Sequence, residues 1–228
     1  MAGATHLVAV TVDFTTCVDR RRQVCAEVLD HCAGHLITPG CVTALLVGAS
    51  TRAVRAEQER FVRRLEKLFA NLPIGVSRVG RGADRVELVA EARRAAMYAS
   101  LALAASPTGV DAHPLEEAML ASDVLSSTMT ALLDPLADHQ EFIHTLYLYL
   151  AFDRDRQRVA RHLAVHARTV DYRLRRIAAL TGLHPQTVSG AGKLLAALIS
   201  RTHRRLVAEP GGQRSNRPVF VPDDNCAK

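Results

Sequence analysis

The sequence predicts an α+β protein, with a small α/β domain at the N-terminus and an all-α region carrying a helix-turn-helix after it. Three observations predict this. Short Val-rich runs alternate with amphipathic stretches before Pro107. Beyond Pro107 the apolar residues recur only at helical spacing. The basic charge is concentrated in one C-terminal stretch: residues 1–150 carry 14 Lys/Arg against 17 Asp/Glu, whereas residues 151–209 carry 12 against 4. A local excess of this kind is the electrostatic footprint of a surface that neutralises phosphates.

The elements follow in order. His6 to Phe14 has the Val, Thr and Phe content of a strand, and Cys41 to Val47 is a short apolar run ending at Gly48, as a buried strand would be. From Arg52 to Leu72, Val54, Phe61, Val62, Leu65, Leu68, Phe69 and Leu72 recur at three and four, which predicts a helix with one buried stripe and Thr51 as its N-cap. Ile74 to Val79, set off by Pro73 and Gly80, reads as a strand. Asp84 with Glu87 predicts a capping box opening a helix that runs past Leu88, Ala92, Ala96 and Ala99 to Leu103, before Pro107. The order β, α, β, α, β, α implies a small sheet covered by helices. Pro114 to Leu133 reads as one or two helices punctuated by Asp134-Pro135, and from Gln140 to Val207 the pattern stays helical. The stretch after Glu209, rich in Pro, Gly and mixed charge, reads as a disordered tail over 209–228.

Composition narrows the function classes. With 228 residues, 48% of them hydrophobic, the chain can bury a proper core. No apolar run approaches the length of a transmembrane span, and Met1 to Phe14 lacks the basic and small-residue signature of a signal peptide, so the expectation is a cytoplasmic protein with no membrane partner. Cys17, Cys25, Cys32, Cys41 and Cys226 are odd in number and form no CxxC pair, which suits reduced thiols.

The functional stretch runs from Arg156 to Ile177. A helix-turn-helix needs a small residue where its helices touch and apolar residues around the turn and on the inner side of the second helix. Ala160 is the small contact; Val159 and Leu163 face the core, Ala164-Val165 makes the turn, and Val170, Leu174 and Ile177 fall at spacings of four and three on the buried side. The opposite side shows Arg168, Thr169, Asp171, Tyr172, Arg175 and Arg176, donors and acceptors suited to base edges and phosphates on a helix that fits the major groove. His166, Arg173, Arg158 and Arg161 complete the expected DNA-contacting set, with His166 also placed to cap the second helix.

These residues carry a family resemblance. The string Thr145 to Leu150 (TLYLYL), followed by Val159 to Gly182 (VARHLAVHARTVDYRLRRIAALTG), resembles the C-terminal helix-turn-helix of the PucR/CdaR transcriptional regulators, most specifically at His166, Thr169, Tyr172, Arg173 and Leu174. Upstream, Asp13-Phe14, Thr38 to Leu46 (TPGCVTALL), Gly75 to Arg78 and Glu91 to Ala99 resemble the degenerate GGDEF-like domain of that family. The resemblance implies a degenerate GGDEF-like domain over 1–106, a helical linker over 107–140 and a PucR-type DNA-binding domain over 141–208. One recognition helix contacts too few base pairs to be selective, so the expectation is a homodimer on double-stranded DNA at an inverted-repeat operator, with no cofactor and no catalysis. Two departures bear on the operator: Arg168 stands where the family commonly has Asn, and Asp171 where a basic or polar residue is usual. The family generally carries a sensory domain ahead of the GGDEF-like part, whereas this sequence begins at the latter, so a small-molecule effector stays unidentified.

Three rival readings come from other classes. A nucleotide cyclase needs acidic metal ligands and a Gly-rich hairpin, but the hairpin position reads Thr38-Pro39-Gly40-Cys41-Val42, leaving Asp13 as the lone carboxylate. A metal or redox sensor could draw on Cys25, His31, Cys32 and His35, if His31 and His35 share a helical face. A basic helical module that docks an acidic protein is the third; preference for one duplex sequence over random duplex separates it from a DNA reader.

Overall fold

The computed structural model describes residues 6–14, 20–32, 34–38, 40–69, 71–101 and 106–208. Its elements alternate at first: β1 (His6–Asp13), α1 (Arg21–His31), β2 (Gly34–Ile37), β3 (Cys41–Gly48), α2 (Thr51–Leu68), β4 (Ile74–Val76), β5 (Gly80–Arg81) and α3 (Arg85–Ser100). Helices alone follow: α4 (Pro114–Leu120), α5 (Asp123–Ala131), α6 (Gln140–Ala151), α7 (Arg156–His162), α8 (Ala167–Thr181) and α9 (Val188–Ala208). The fold is α+β, as the change of hydrophobic period implies.

The strands form an antiparallel sheet in the order β2-β3-β1-β4, with β5 also pairing β1. Alternation along β1 splits its side chains between two layers. Val8, Val10 and Val12 meet Val42, Ala44 and Leu46 of β3 under Val24 and Val28 of α1 and Val54, Phe61, Val62 and Leu65 of α2. Leu7 and Ala9 face the other way, with Leu45, onto Leu88 and Ala92 of α3. A Cβ added to Gly75 would lie 2.1 Å from the Ala96 nitrogen, so only glycine lets β4 approach α3 this closely. The last turn of α3 leaves this layer: Met97, Tyr98 and Leu101 join α6, α7, α8 and α9 in the helical core. The segment between α3 and α6 also packs there, through Leu120, Leu133 and Leu136.

Several local expectations are corrected. The first long helix is capped by Ser50, whose hydroxyl accepts from the Ala53 nitrogen at 3.1 Å, so Thr51 is its first residue; the helix ends at Leu68, and Leu72 is buried beyond it. Asp84 does not cap α3. Its carboxylate instead accepts from the Arg81 nitrogen at 3.0 Å, and Glu87 pairs with Arg78 at 2.7 Å. The strand expected to reach Val79 stops at Val76, and β2 is an additional strand. α1 ends at His31 and His35 lies in β2, so the two histidines do not share a helical face. The stretch 209–228 and the end of the helix expected to reach Leu103 lie outside the described residues, as does Cys17. No described helix is long and apolar enough to cross a membrane.

Candidate nucleic-acid interface

α7 starts where its first amide groups find a partner. The Asp155 carboxylate accepts from the Gln157 and Arg158 nitrogens at 2.9 and 3.0 Å. The Arg158 bond foremost holds its carboxyl below the usual aspartate range, against an opposing effect of burial and with the Gln157 bond and the charges of Arg161 and Arg158 adding to it. α7 ends in a Schellman turn: the Val165 nitrogen donates to the Ala160 carbonyl at 3.0 Å and the Ala164 nitrogen to the Arg161 carbonyl at 3.3 Å. Such a turn puts its C′ residue in the left-handed region, and Ala164 has φ 52°. His166 then caps α8, its Nδ1 accepting from the Arg168 nitrogen at 3.1 Å. At the far end Gly182, φ 69°, stops the helix.

The expected core residues are packed together. Val159, Val170 and Ile177 are fully buried, Leu174 and Ala160 nearly so, and Leu163 and Val165 are partly buried against the same cluster. Burial of each large aliphatic side chain contributes about 1.5–3 kcal/mol, so the crossing of α7 and α8 is held mainly by apolar contact. α6 supports both helices from behind through Leu146, Leu148 and Ala151.

The expected contact residues separate into two groups. Arg168, Tyr172, Arg175 and Arg176 are exposed, Tyr172 at 52%, and Thr169 is half-buried at the margin. With 3.6 residues per turn, Arg168, Tyr172 and Arg175 fall on one outward stripe that continues to Ala179. Arg161 is exposed on α7. Among the described residues, no carboxylate pairs with Arg161, Arg168, Arg175 or Arg176, so their charges face solvent. Three others have partners within the protein. Arg173 is half-buried and donates to the Thr145 hydroxyl of α6 at 3.0 Å, which ties α8 to its support. Asp171 receives Arg156 at 3.4 Å. Arg158 lies over the Phe152 ring, 4.3 Å from its centroid. On α6 His144 is held below the usual histidine range by burial first, then by the neighbouring His162 and Arg173.

The sequence reading missed one surface feature. A groove of about 260 Å³ runs along the C-terminal half of α8, with Arg175, Ala178 and Ala179 on one wall and His184, Pro185 and Gln186 on the other.

Two short helices joined by a tight turn over an apolar crossing, the second presenting unpaired arginines, define a helix-turn-helix unit. The family model for the PucR C-terminal helix-turn-helix domain matches residues 142–200, which span α6 to α9, so the chain carries a domain of this family. No curated protein matches the chain. Among solved structures, the regulator of polyketide synthase expression from Bifidobacterium adolescentis aligns over 87% of this chain and 81% of its own at 21% identity, with a TM-score of 0.34.

Proposed function

We propose that the protein is a sequence-specific, DNA-binding transcriptional regulator that acts as a homodimer on an inverted repeat. The observation that carries the reading is the outward face of α8, where Arg168, Tyr172 and Arg175 share a stripe free of intramolecular ion pairs. A guanidinium near the start of a groove helix can make the bidentate pair with guanine, and Arg168 holds that place. Thr169, Tyr172 and Arg176 would position the helix on phosphates, with Arg161 on the backbone beside it. The dimer follows from selectivity: one helix contacts too few base pairs, and two related by a two-fold axis meet successive major grooves about 34 Å apart.

In this reading the N-terminal part is a non-catalytic, GGDEF-like domain that serves dimerisation or relay, and the protein works in the cytoplasm. Two observations support a non-catalytic role. Asp13 faces Cys41 across the β1–β3 pairing instead of a second carboxylate. It also accepts from the Ser100 hydroxyl at 3.4 Å, while the Tyr147 hydroxyl of α6 donates to Ser100 at 2.7 Å. This string joins the sheet to the helix that backs α8. Selection of bound duplexes from a random library tests the function: enrichment of one motif supports it, and equal affinity for every sequence refutes it.

A further inference from the structure

We infer that the turn His184 to Thr187 is a second DNA-contacting element, which grips the sugar-phosphate backbone beside the bases read by α8. The inference rests on the proposed reading of α8 and adds residues to it. Its first support is rigidity. The Thr187 nitrogen donates to the His184 carbonyl at 3.1 Å with Pro185 buried between them, the arrangement of a type I turn. The Thr187 hydroxyl donates to the same carbonyl at 3.0 Å and accepts from the Gly190 nitrogen at 3.1 Å, so the turn is also the cap of α9. A Cβ on Gly190 would lie 2.1 Å from the His184 carbonyl oxygen, so the turn is pressed onto α9 as closely as glycine allows. Gln186 and Thr187 nevertheless point their edges to solvent, and Val188 is 84% exposed.

Position is the second support. From Arg168 to Ala179 the helix rises about 16 Å, more than the roughly 12 Å width of a major groove. If the start of α8 reads base edges, its C-terminal half extends along or out of the groove towards the flanking phosphates. The turn forms the opposite wall of the surface groove lined by Arg175 and Ala179, so it lies beside the C-terminal half of α8. Charge is the third support. Residues 172–208 contain seven Lys/Arg and no Asp or Glu, so the stretch that carries the turn is itself purely basic. The Gln186 amide is a donor suited to phosphate oxygens, whereas the Thr187 hydroxyl gives its one proton to the His184 carbonyl and holds the turn in place.

The test uses the full chain and fluorescence anisotropy with two duplexes of equal length, one selected from a random library and one of random sequence. Gln186→Glu should weaken binding to both by about tenfold or more and leave their ratio unchanged, because a carboxylate beside phosphate repels regardless of sequence. Gln186→Lys should tighten both and steepen the salt dependence by about one unit of slope. Gln186 is exposed, and matching thermal unfolding confirms that each variant folds. If both variants bind within twofold of wild type while Arg168→Ala still changes the ratio, the turn is no DNA contact and the reading of α8 stands. Failure of the wild type to bind either duplex would overturn both.

Discussion

Two residues of the helix-turn-helix occupy the left-handed region, and exchanging their identities should move stability in opposite directions. Ala164 follows the cap of α7 at φ 52°, and Gly182 follows the last residue of α8 at φ 69°. A side chain in this conformation costs about 1–2 kcal/mol of steric strain, while glycine loses about 0.5–1 kcal/mol more backbone entropy on folding. The strain exceeds the entropy by about 1 kcal/mol. Nothing else contributes much: Ala164 is exposed, so its methyl leaves no cavity, and a methyl on Gly182 would meet no atom within 4 Å. Ala164→Gly should therefore stabilise the protein by about 1 kcal/mol and Gly182→Ala destabilise it by the same amount, or about 2–4 °C of Tm each way in a chain of this length. Thermal unfolding followed by far-UV circular dichroism, checked by urea midpoints, reads both shifts. A lower Tm for Ala164→Gly would show that the backbone at this turn is not the strained Schellman conformation, and the reasoning would fail.

Other outcomes follow from the interface. Arg168→Ala should cost about 1–3 kcal/mol on the selected duplex and little on random duplex, relaxing sequence choice, whereas Arg161→Ala should weaken both alike and flatten the salt dependence; equal losses for both variants on both duplexes would remove Arg168 from the reading role. Ala160→Glu should abolish binding by forcing a charge into the crossing of α7 and α8, seen as loss of cooperative unfolding of this region; a variant that binds normally would contradict the packing. Asp155→Asn keeps a capping oxygen but loses the charge. Because the folded carboxyl lies below its ordinary value of 3.8, its contribution is present above that pH and lost as pH falls through the folded value. The Tm of Asp155→Asn should then lie below wild type at neutral pH and converge with it in acid; a gap independent of pH would mean that the carboxylate plays no part.

The helix-turn-helix was legible because its signals are local. Val159, Val170, Leu174 and Ile177 keep one helical face through both helices, and His166 and Gly182 mark the ends of the second. The same locality explains the strand misses: Gly34–Ile37 is four residues long with no alternating pattern of its own and exists through its register with Val42 to Leu45. Asp84 reads in sequence as the cap of the following helix, but its carboxylate is taken by the Arg81 nitrogen in the turn before it. In the site, Arg173 belongs to the motif that carries the family resemblance and so joins the expected DNA-contacting set, but it points inward. Its inward bond to Thr145 depends on how α6 crosses α8, which spacing within α8 does not encode. The turn at His184 was invisible for a related reason: it stands beside α8 only because Gly190 lets α9 close on it.

The central claim is that α8 reads a base sequence from each half of a dimer. The direct measurement is selection of duplexes from a random library by the full chain, followed by titration of the winning duplex against random sequence at fixed salt. We predict an inverted repeat with half-site centres about 10 base pairs apart, bound by two copies of the chain and preferred over random duplex by about 10³-fold or more. Enrichment of no motif, or equal affinity for winning and random duplexes, would contradict it.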